Sequence, residues 1–222
     1  MDQFKMDQFK IEELVSAANK FFFELINDID FTNRNLQIAI GLILFNPIYW
    51  NIMARLEHKT HFLTKIFGSA KNGCYFLAFT IFSLGLIRDD FYNKALSEQP
   101  TFSLFLQPEY ENLIKSLGLI IFSIGSILVV SSMYKLGITG TYLGDYFGIL
   151  MSKRVVSFPF NVCSNPMYNG SSLCFLGTAL WYGKPAGLLA TLVVFSQYQL
   201  ALLFEEPYTA KIYADKEATK KR

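Results

Sequence analysis

The sequence predicts an all-α, multi-pass membrane protein of about four apolar helices, preceded by an amphipathic helix. Composition is the first ground: of 222 residues 52% are apolar, 16% aromatic and only 17% charged, where a soluble domain carries about 25% charge. The distribution of charge is the second. Ser116 to Tyr134 (19 residues) and Pro185 to Phe204 (20 residues) contain no formal charge. At about 1.5 Å per residue each block reaches roughly 30 Å, the thickness of a bilayer core. Chain length is the third, because so short a protein cannot surround two all-apolar helices with its own residues.

The elements follow in order. Residues 1–35 form an N-terminal extension in which MDQFK occurs twice, and Ile11, Leu14, Val15, Ala18, Phe22, Leu25 and Ile26 then recur at helical spacing. That pattern suits a helix lying on the membrane surface, or equally a packed helix. Leu36 to Met53 is the first apolar block, with Asn46-Pro47 in its second half. Proline removes a helical donor, so this block is either a kinked span or a re-entrant element. Gly73 to Ile87 is short for a span, at 15 residues, unless Lys71 and Arg88 extend to the interfaces. Val155 to Gly183 is uncharged for 29 residues, yet its first half carries two prolines, three asparagines and a glycine. Irregular backbone at membrane depth survives only where protein buries it or it lines a polar cavity; helical composition resumes from Ser171. Residues 36–216 are thus the integral-membrane domain and 217–222 a basic tail.

Several classes are excluded. Twenty basic against 18 acidic residues, net +2, leave no electrostatic footprint for nucleic acid. Two histidines and three cysteines without a C-x-x-C pair point to no bound metal, and no H-E-x-x-H motif is present. With four spans, 12 Lys and Arg share a compartment with both termini and 8 lie opposite, which favours termini in the cytosol. A re-entrant first block reverses that count.

Two places carry candidate chemistry. Glu205-Glu206 ends the last apolar block, where the helix macrodipole already places negative charge. Paired acids there are either interfacial charges or the seat of a cationic partner such as a lipid head group or a sulfonium. Asp145 stands between Tyr142 and Tyr146 in GITGTYLGDYFGIL, with glycines at 137, 140, 144 and 148. Small residues let backbones approach one another or a ligand. The three aromatic residues Tyr142, Tyr146 and Tyr168 suit cation–π contact with a methylated amine, or simple anchoring at the interface.

NPIYWNIMARLEHKT (46–60), KLGITGTYLGDYFGIL (135–150), FPFNVCSNPMYNGS (158–171) and ALLFEEPYTAKIY (201–213) together resemble the integral-membrane phospholipid N-methyltransferases, closest to the short fungal members. The likeness runs from about residue 36 to 216. It implies S-adenosyl-L-methionine as methyl donor, phosphatidyl-N-methylethanolamine and its dimethyl form as acceptors, phosphatidylcholine as product, and a membrane of the endoplasmic reticulum or the mitochondrion. It further implies a donor site at Ser123-Ile124-Gly125, with Ser123 where relatives carry glycine, and at Glu205-Glu206. Asn165 to Gly170 is similar to the pattern (H/N)-P-x-Y-x-G of isoprenylcysteine carboxyl methyltransferases, which adds Asn165 and Tyr168 to the donor contacts. Those enzymes carry His where this chain has Asn165, and the unbroken match to the phospholipid enzymes argues against a prenylated acceptor. A non-catalytic membrane scaffold would leave the paired acids without a purpose. Asp145 or one of the paired glutamates is the candidate base that orients the acceptor amine and takes its proton, directly or through water. The oligomeric state and the number of methylations are not legible.

Overall fold

A computed structural model describes residues 3–220 of the chain. Met1, Asp2, Lys221 and Arg222, the extremities of the N-terminal extension and the basic tail, lie outside the described residues. Seven α-helices follow one another: α1 (Gln3–Asn27), α2 (Arg34–Thr60), α3 (Phe62–Phe67), α4 (Ala70–Glu98), α5 (Pro108–Thr141), α6 (Pro166–Tyr182) and α7 (Pro185–Lys220). Short 3-10 turns lie at Ser103–Leu106 and Gly144–Phe147, and the described residues contain no strand. Four helices, α2, α4, α5 and α7, are long and apolar enough to cross a membrane. Their outward faces are apolar and exposed, as at Phe79, Ile120, Ile127, Leu192 and Leu203, the surface that lipid tails rather than water would cover.

The first block is a continuous helix, not a re-entrant element. Pro47 sits inside α2, and the 27 residues of the helix extend about 40 Å. Asn33 opens it by accepting from Leu36 N at 2.9 Å, one of the amide donors that a helix start leaves unpaired. At its other end the fully buried Glu57 accepts from Leu63 N at 2.7 Å and Thr64 Oγ1 at 2.5 Å. A buried carboxylate thereby holds the corner from α2 into α3.

The second helical hairpin depends on glycine. Gly118 and Gly125 of α5 face Gly177 and Gly170 of α6, so two pairs seven residues apart lie in antiparallel register. A Cβ on Gly125 would stand 2.5 Å from Gly170 O, and one on Gly177 would stand 2.6 Å from Gly118 O. The two backbones touch, which only a missing side chain permits. Further along, Gly137 (φ 62°) breaks α5 before its last turn and bends the chain over the bundle.

α6 changes the count of crossings. It starts at Pro166 rather than at Ser171, because a proline at the first helical position loses a donor that is unpaired there anyway. It begins where Asn165 donates to Glu206 of α7, and it ends where Lys184 Nζ donates to Gln99 O beyond α4. The chain therefore runs the length of the bundle five times, with α6, at 17 residues, the shortest pass. Asp30 and Gln99 exchange hydrogen bonds at 3.0 and 2.8 Å, which fixes the N-terminal flank at the Lys184 end. The C-terminal half of α7 lies at the opposite end. The expectation of both termini on one side belongs to four crossings, by α2, α4, α5 and α7; with α6 as a fifth pass the termini lie at opposite ends of the bundle. α1 reaches back to Gln3, longer than the pattern from Ile11 indicated, and Leu14, Phe22, Phe23 and Ile26 on it are exposed.

Candidate active site

Glu205 is the centre of the site. It is 8% exposed, and its carboxylate accepts from Trp50 Nε1 (2.6 Å), Asn51 Nδ2 (2.8 Å) and Tyr168 Oη (2.5 Å). All three donors are neutral, so the negative charge is solvated by dipoles without being cancelled. α2 supplies Trp50 and Asn51, and α6 supplies Tyr168. Glu206 on the next residue points elsewhere: it is exposed and accepts from Asn165 Nδ2 at 3.0 Å. The first turn of α6 thus touches both glutamates.

One turn beyond Glu205 on α7, Thr209 donates to Asp145 Oδ2 at 2.9 Å. That contact draws the 3-10 turn Gly144–Phe147 over the glutamate. Gly144 lets this turn fold tightly back on the end of α5, since a Cβ there would lie 2.6 Å from Thr139 O. A cavity of about 730 Å³ opens beneath, lined by Trp50, Tyr142, Asp145, Asn165, Tyr168 and Glu205 among others. The size is that of a small-molecule site. Trp50, Tyr168 and Tyr198 form one wall, with ring centroids 6.5, 6.4 and 5.0 Å apart in pairs.

Other expected residues lie outside the lining. Tyr146 is 1% exposed, stacked on Tyr208 with centroids 5.2 Å apart and edge-on to His58; it supports the turn that carries Asp145. Ser123 is exposed and donates to Leu119 O of its own helix, and Ile124 is 48% exposed. Gly125 is taken up by the contact with Gly170 and Cys174. The neighbours Phe122 and Ser126 reach the cavity where the triplet does not. Sequence reasoning passed over Trp50, Asn51, Arg88, Tyr198 and Thr209. A tryptophan or tyrosine inside a span carries a polar atom that must find a partner, and that was the available signal.

The residues fit a polar, cationic ligand. Asn46 Oδ1 and Thr141 Oγ1 line the cavity, buried and without a hydrogen-bond partner among the described residues. Such atoms are costly unless a ligand or water meets them. The acceptor-rich end around Glu205 and Asp145 supplies the charge that a sulfonium or an ammonium needs.

The comparisons with known proteins agree. The phospholipid methyltransferase family matches residues 113–216. The phosphatidyl-N-methylethanolamine N-methyltransferase of Saccharomyces cerevisiae is 58% identical over 89% of this chain and 94% of its own length. The chain belongs to the phospholipid methyltransferase family. Phosphatidylethanolamine N-methyltransferase A of Dictyostelium discoideum is 51% identical over 90% of this chain and 92% of its own length. The human phosphatidylethanolamine N-methyltransferase is 44% identical over 86% and 94%. No solved structure matches the chain. Its fold is therefore that of a membrane-embedded methyltransferase, built on helices in place of a dinucleotide-type sheet.

Proposed function

We propose that this chain methylates phosphatidyl-N-methylethanolamine and the dimethyl intermediate, completing phosphatidylcholine. The observation that carries the reading is the 58% identity to a relative of that printed activity, over 89% of the chain. The carboxylate-lined, membrane-embedded cavity supports it. When bound, S-adenosyl-L-methionine supplies an electrophilic methyl group on a positively charged sulfur.

The residues of the chain do the rest. Glu205 and Glu206, with Asn165 and Tyr168 attached to them, hold the cationic end of the donor. Gly125 contributes indirectly, by letting the start of α6 lie close enough to present Tyr168. The acceptor nitrogen is protonated in water, and freeing its lone pair at neutral pH costs about 4 kcal/mol for an amine with the ordinary lysine pKa. Asp145 takes that proton on its carboxylate, oriented by Thr209, and the freed lone pair forms the new N–C bond as the methyl's bond to the donor sulfur breaks, its electron pair staying on the sulfur of the departing neutral thioether. The aromatic wall of Trp50, Tyr168 and Tyr198, with Tyr142 beside it, stabilises the nitrogen by cation–π attraction as its N–H groups are replaced by methyls. Fixed hydrogen bonds could not follow that change, whereas ring faces can.

The chain acts in the endoplasmic reticulum, with the mitochondrial membrane a second site, and its C-terminus lies in the cytosol. With five passes, residues 54–72, 135–165 and 205–222 share one side and hold 12 of the 20 Lys and Arg, which favours that side as cytosolic. The test is direct. Purified protein in mixed micelles should transfer labelled methyl to phosphatidyl-N-methylethanolamine; transfer to a prenylcysteine instead, or to no ethanolamine lipid, overturns the reading.

A further inference from the structure

The cavity has a second polar end that the methyl-transfer chemistry does not use. Arg88 of α4 is 8% exposed, inside a helix apolar enough to span a membrane. It lines the cavity together with Asp89 and Tyr198. Its Nε donates to Asp89 Oδ1 and its Nη2 pairs with the same oxygen, both at 2.9 Å, while Nη1 donates to Tyr198 Oη at 2.9 Å. The guanidinium also lies over the Phe175 ring, 5.0 Å from its centroid. A guanidinium has five N–H groups. These contacts employ three and leave one on each terminal nitrogen, a two-pronged donor. A buried cation in a membrane protein is costly and by default serves a function, and a planar fork of this kind matches the oxygens of a phosphodiester or a carboxylate.

We infer that Arg88 is the subsite for the phosphodiester of the lipid acceptor, an inference that rests on the reading of the chain as a phospholipid methyltransferase. Position along the cavity selects a phosphodiester over the carboxylate of the methyl donor. Tyr198, to which Arg88 is bonded, precedes Glu205 on α7 by two helical turns, about 10 Å. Part of the same lining is apolar: Phe82 and Leu86 on α4, Val130 and Met133 on α5. Phe82, Leu86 and Val130 are 52%, 55% and 65% exposed on the outer surface, so the cavity that holds Arg88 reaches the lipid-facing flank between α4 and α5. One cavity thus holds carboxylates, an aromatic wall, a cation and an apolar flank open to lipid. A phospholipid presents the complement of each: an ammonium, a phosphate and acyl chains. The donor has no acyl part to occupy that flank, and its charged amino-acid end belongs with Glu205. Asp89 holds the guanidinium plane and, with its side chain 47% exposed, remains hydrated enough not to displace the phosphate.

The test compares two acceptors in neutral-detergent micelles: phosphatidyl-N-methylethanolamine, and a diacylglycerol ether carrying the same N-methylaminoethyl arm without phosphate. The wild-type protein should prefer the phosphate-bearing acceptor by about tenfold or more in kcat/KM, the size of one or two charge-assisted hydrogen bonds. Arg88→Gln should reduce that preference to about twofold or less while equilibrium binding of S-adenosyl-L-methionine stays unchanged; Arg88→Lys, which keeps the charge without the fork, should fall between. The preference is a ratio within one protein, so partial loss of folded material does not affect it. A wild-type protein with equal activity on both acceptors overturns the inference even if Arg88→Gln fails to fold. So does a full preference in Arg88→Gln, or a loss of donor affinity with the preference intact, which would assign Arg88 to the donor carboxylate. Transfer to the phosphate-bearing acceptor by the wild type leaves the underlying function standing in each of these cases; transfer to neither removes both.

Discussion

Trp50 donates its indole N–H to Glu205 at 2.6 Å, joining residues 155 positions apart. The bond closes α2 onto α7 at the depth where Tyr168 of α6 reaches the same carboxylate. Three separate passes therefore converge on one acidic group. A carboxylate in a span costs about 2.5–3.5 kcal/mol at the bilayer centre, and three neutral donors offset part of that without removing the charge. A carboxylate retained in that state is suited to attract a cation.

Glu205→Gln should therefore separate binding from stability. The amide keeps the shape and loses the charge, so affinity for S-adenosyl-L-methionine should fall about 10- to 100-fold, the worth of a charged hydrogen-bonded contact. Thermal stability in detergent should change little, because a neutral group is cheaper to bury. Glu206→Gln, on an exposed side chain bonded to Asn165, should cost less than about fivefold. Equal losses in the two variants, read by equilibrium binding, would show that burial is irrelevant to the role of Glu205.

The glycine contacts between α5 and α6 make a second, purely structural prediction. Gly170→Ala would place a Cβ 2.7 Å from Gly125 O, whereas a Cβ at Gly41 of α2 would meet nothing within 4 Å. Overpacking costs about 1–3 kcal/mol, so Gly170→Ala should lower the detergent melting temperature by several degrees and reduce turnover through displaced Tyr168. Gly41→Ala should match or exceed the wild type. A silent Gly170→Ala would mean that the two backbones are not in contact.

The spans were legible because charge stops abruptly at their ends, and lipid-facing helices need no partner for their sides. The fifth pass was hidden for a physical reason. α6 is as apolar as α5, but it has only 17 residues and starts at Pro166 inside the proline- and asparagine-rich stretch, so its first turn read as irregular backbone and the remainder as too short to cross. Its signal was of another kind: glycines at 118 and 125, and again at 170 and 177, share a spacing of seven. Glu205, Glu206, Asn165 and Asp145 were legible as unusual residues in unusual places. Their partners Trp50 and Thr209 were not, since a side chain with one polar atom in a span declares itself only when the other helix is known. Arg88 read as a charge at the end of a short span, but α4 continues ten residues past it to Glu98, which turns an end into an interior.

Asp145 and Thr209 give a graded test of proton removal. Asp145→Asn should lower turnover at least about 100-fold, the lower range for loss of a general base, with donor affinity within about twofold of wild type. Thr209→Val removes only the 2.9 Å bond to Oδ2; a single neutral-to-charged hydrogen bond is worth about 1.5 kcal/mol, so turnover should fall about tenfold. Steady-state rates with saturating donor and acceptor decide the matter. Normal turnover in Asp145→Asn would remove it as the base, and a larger effect at Thr209 than at Asp145 would place the chemistry on the threonine.

The five passes along the bundle end with the two termini at opposite ends, which predicts opposite sides of the membrane, and sealed microsomes test it. The N-terminal flank is tied through Asp30 to Gln99, and Gln99 O in turn to Lys184, while α7 carries the C-terminus to the end where Thr209 meets Asp145. A protease added outside should remove a C-terminal epitope tag and leave an N-terminal one protected until detergent is added. Simultaneous loss of both tags would mean that α6 does not cross. In that case the contact between its first turn and Glu205 could not form together with the contact between its last turn and the residues after α4, because 17 residues of helix separate the two by about 25 Å.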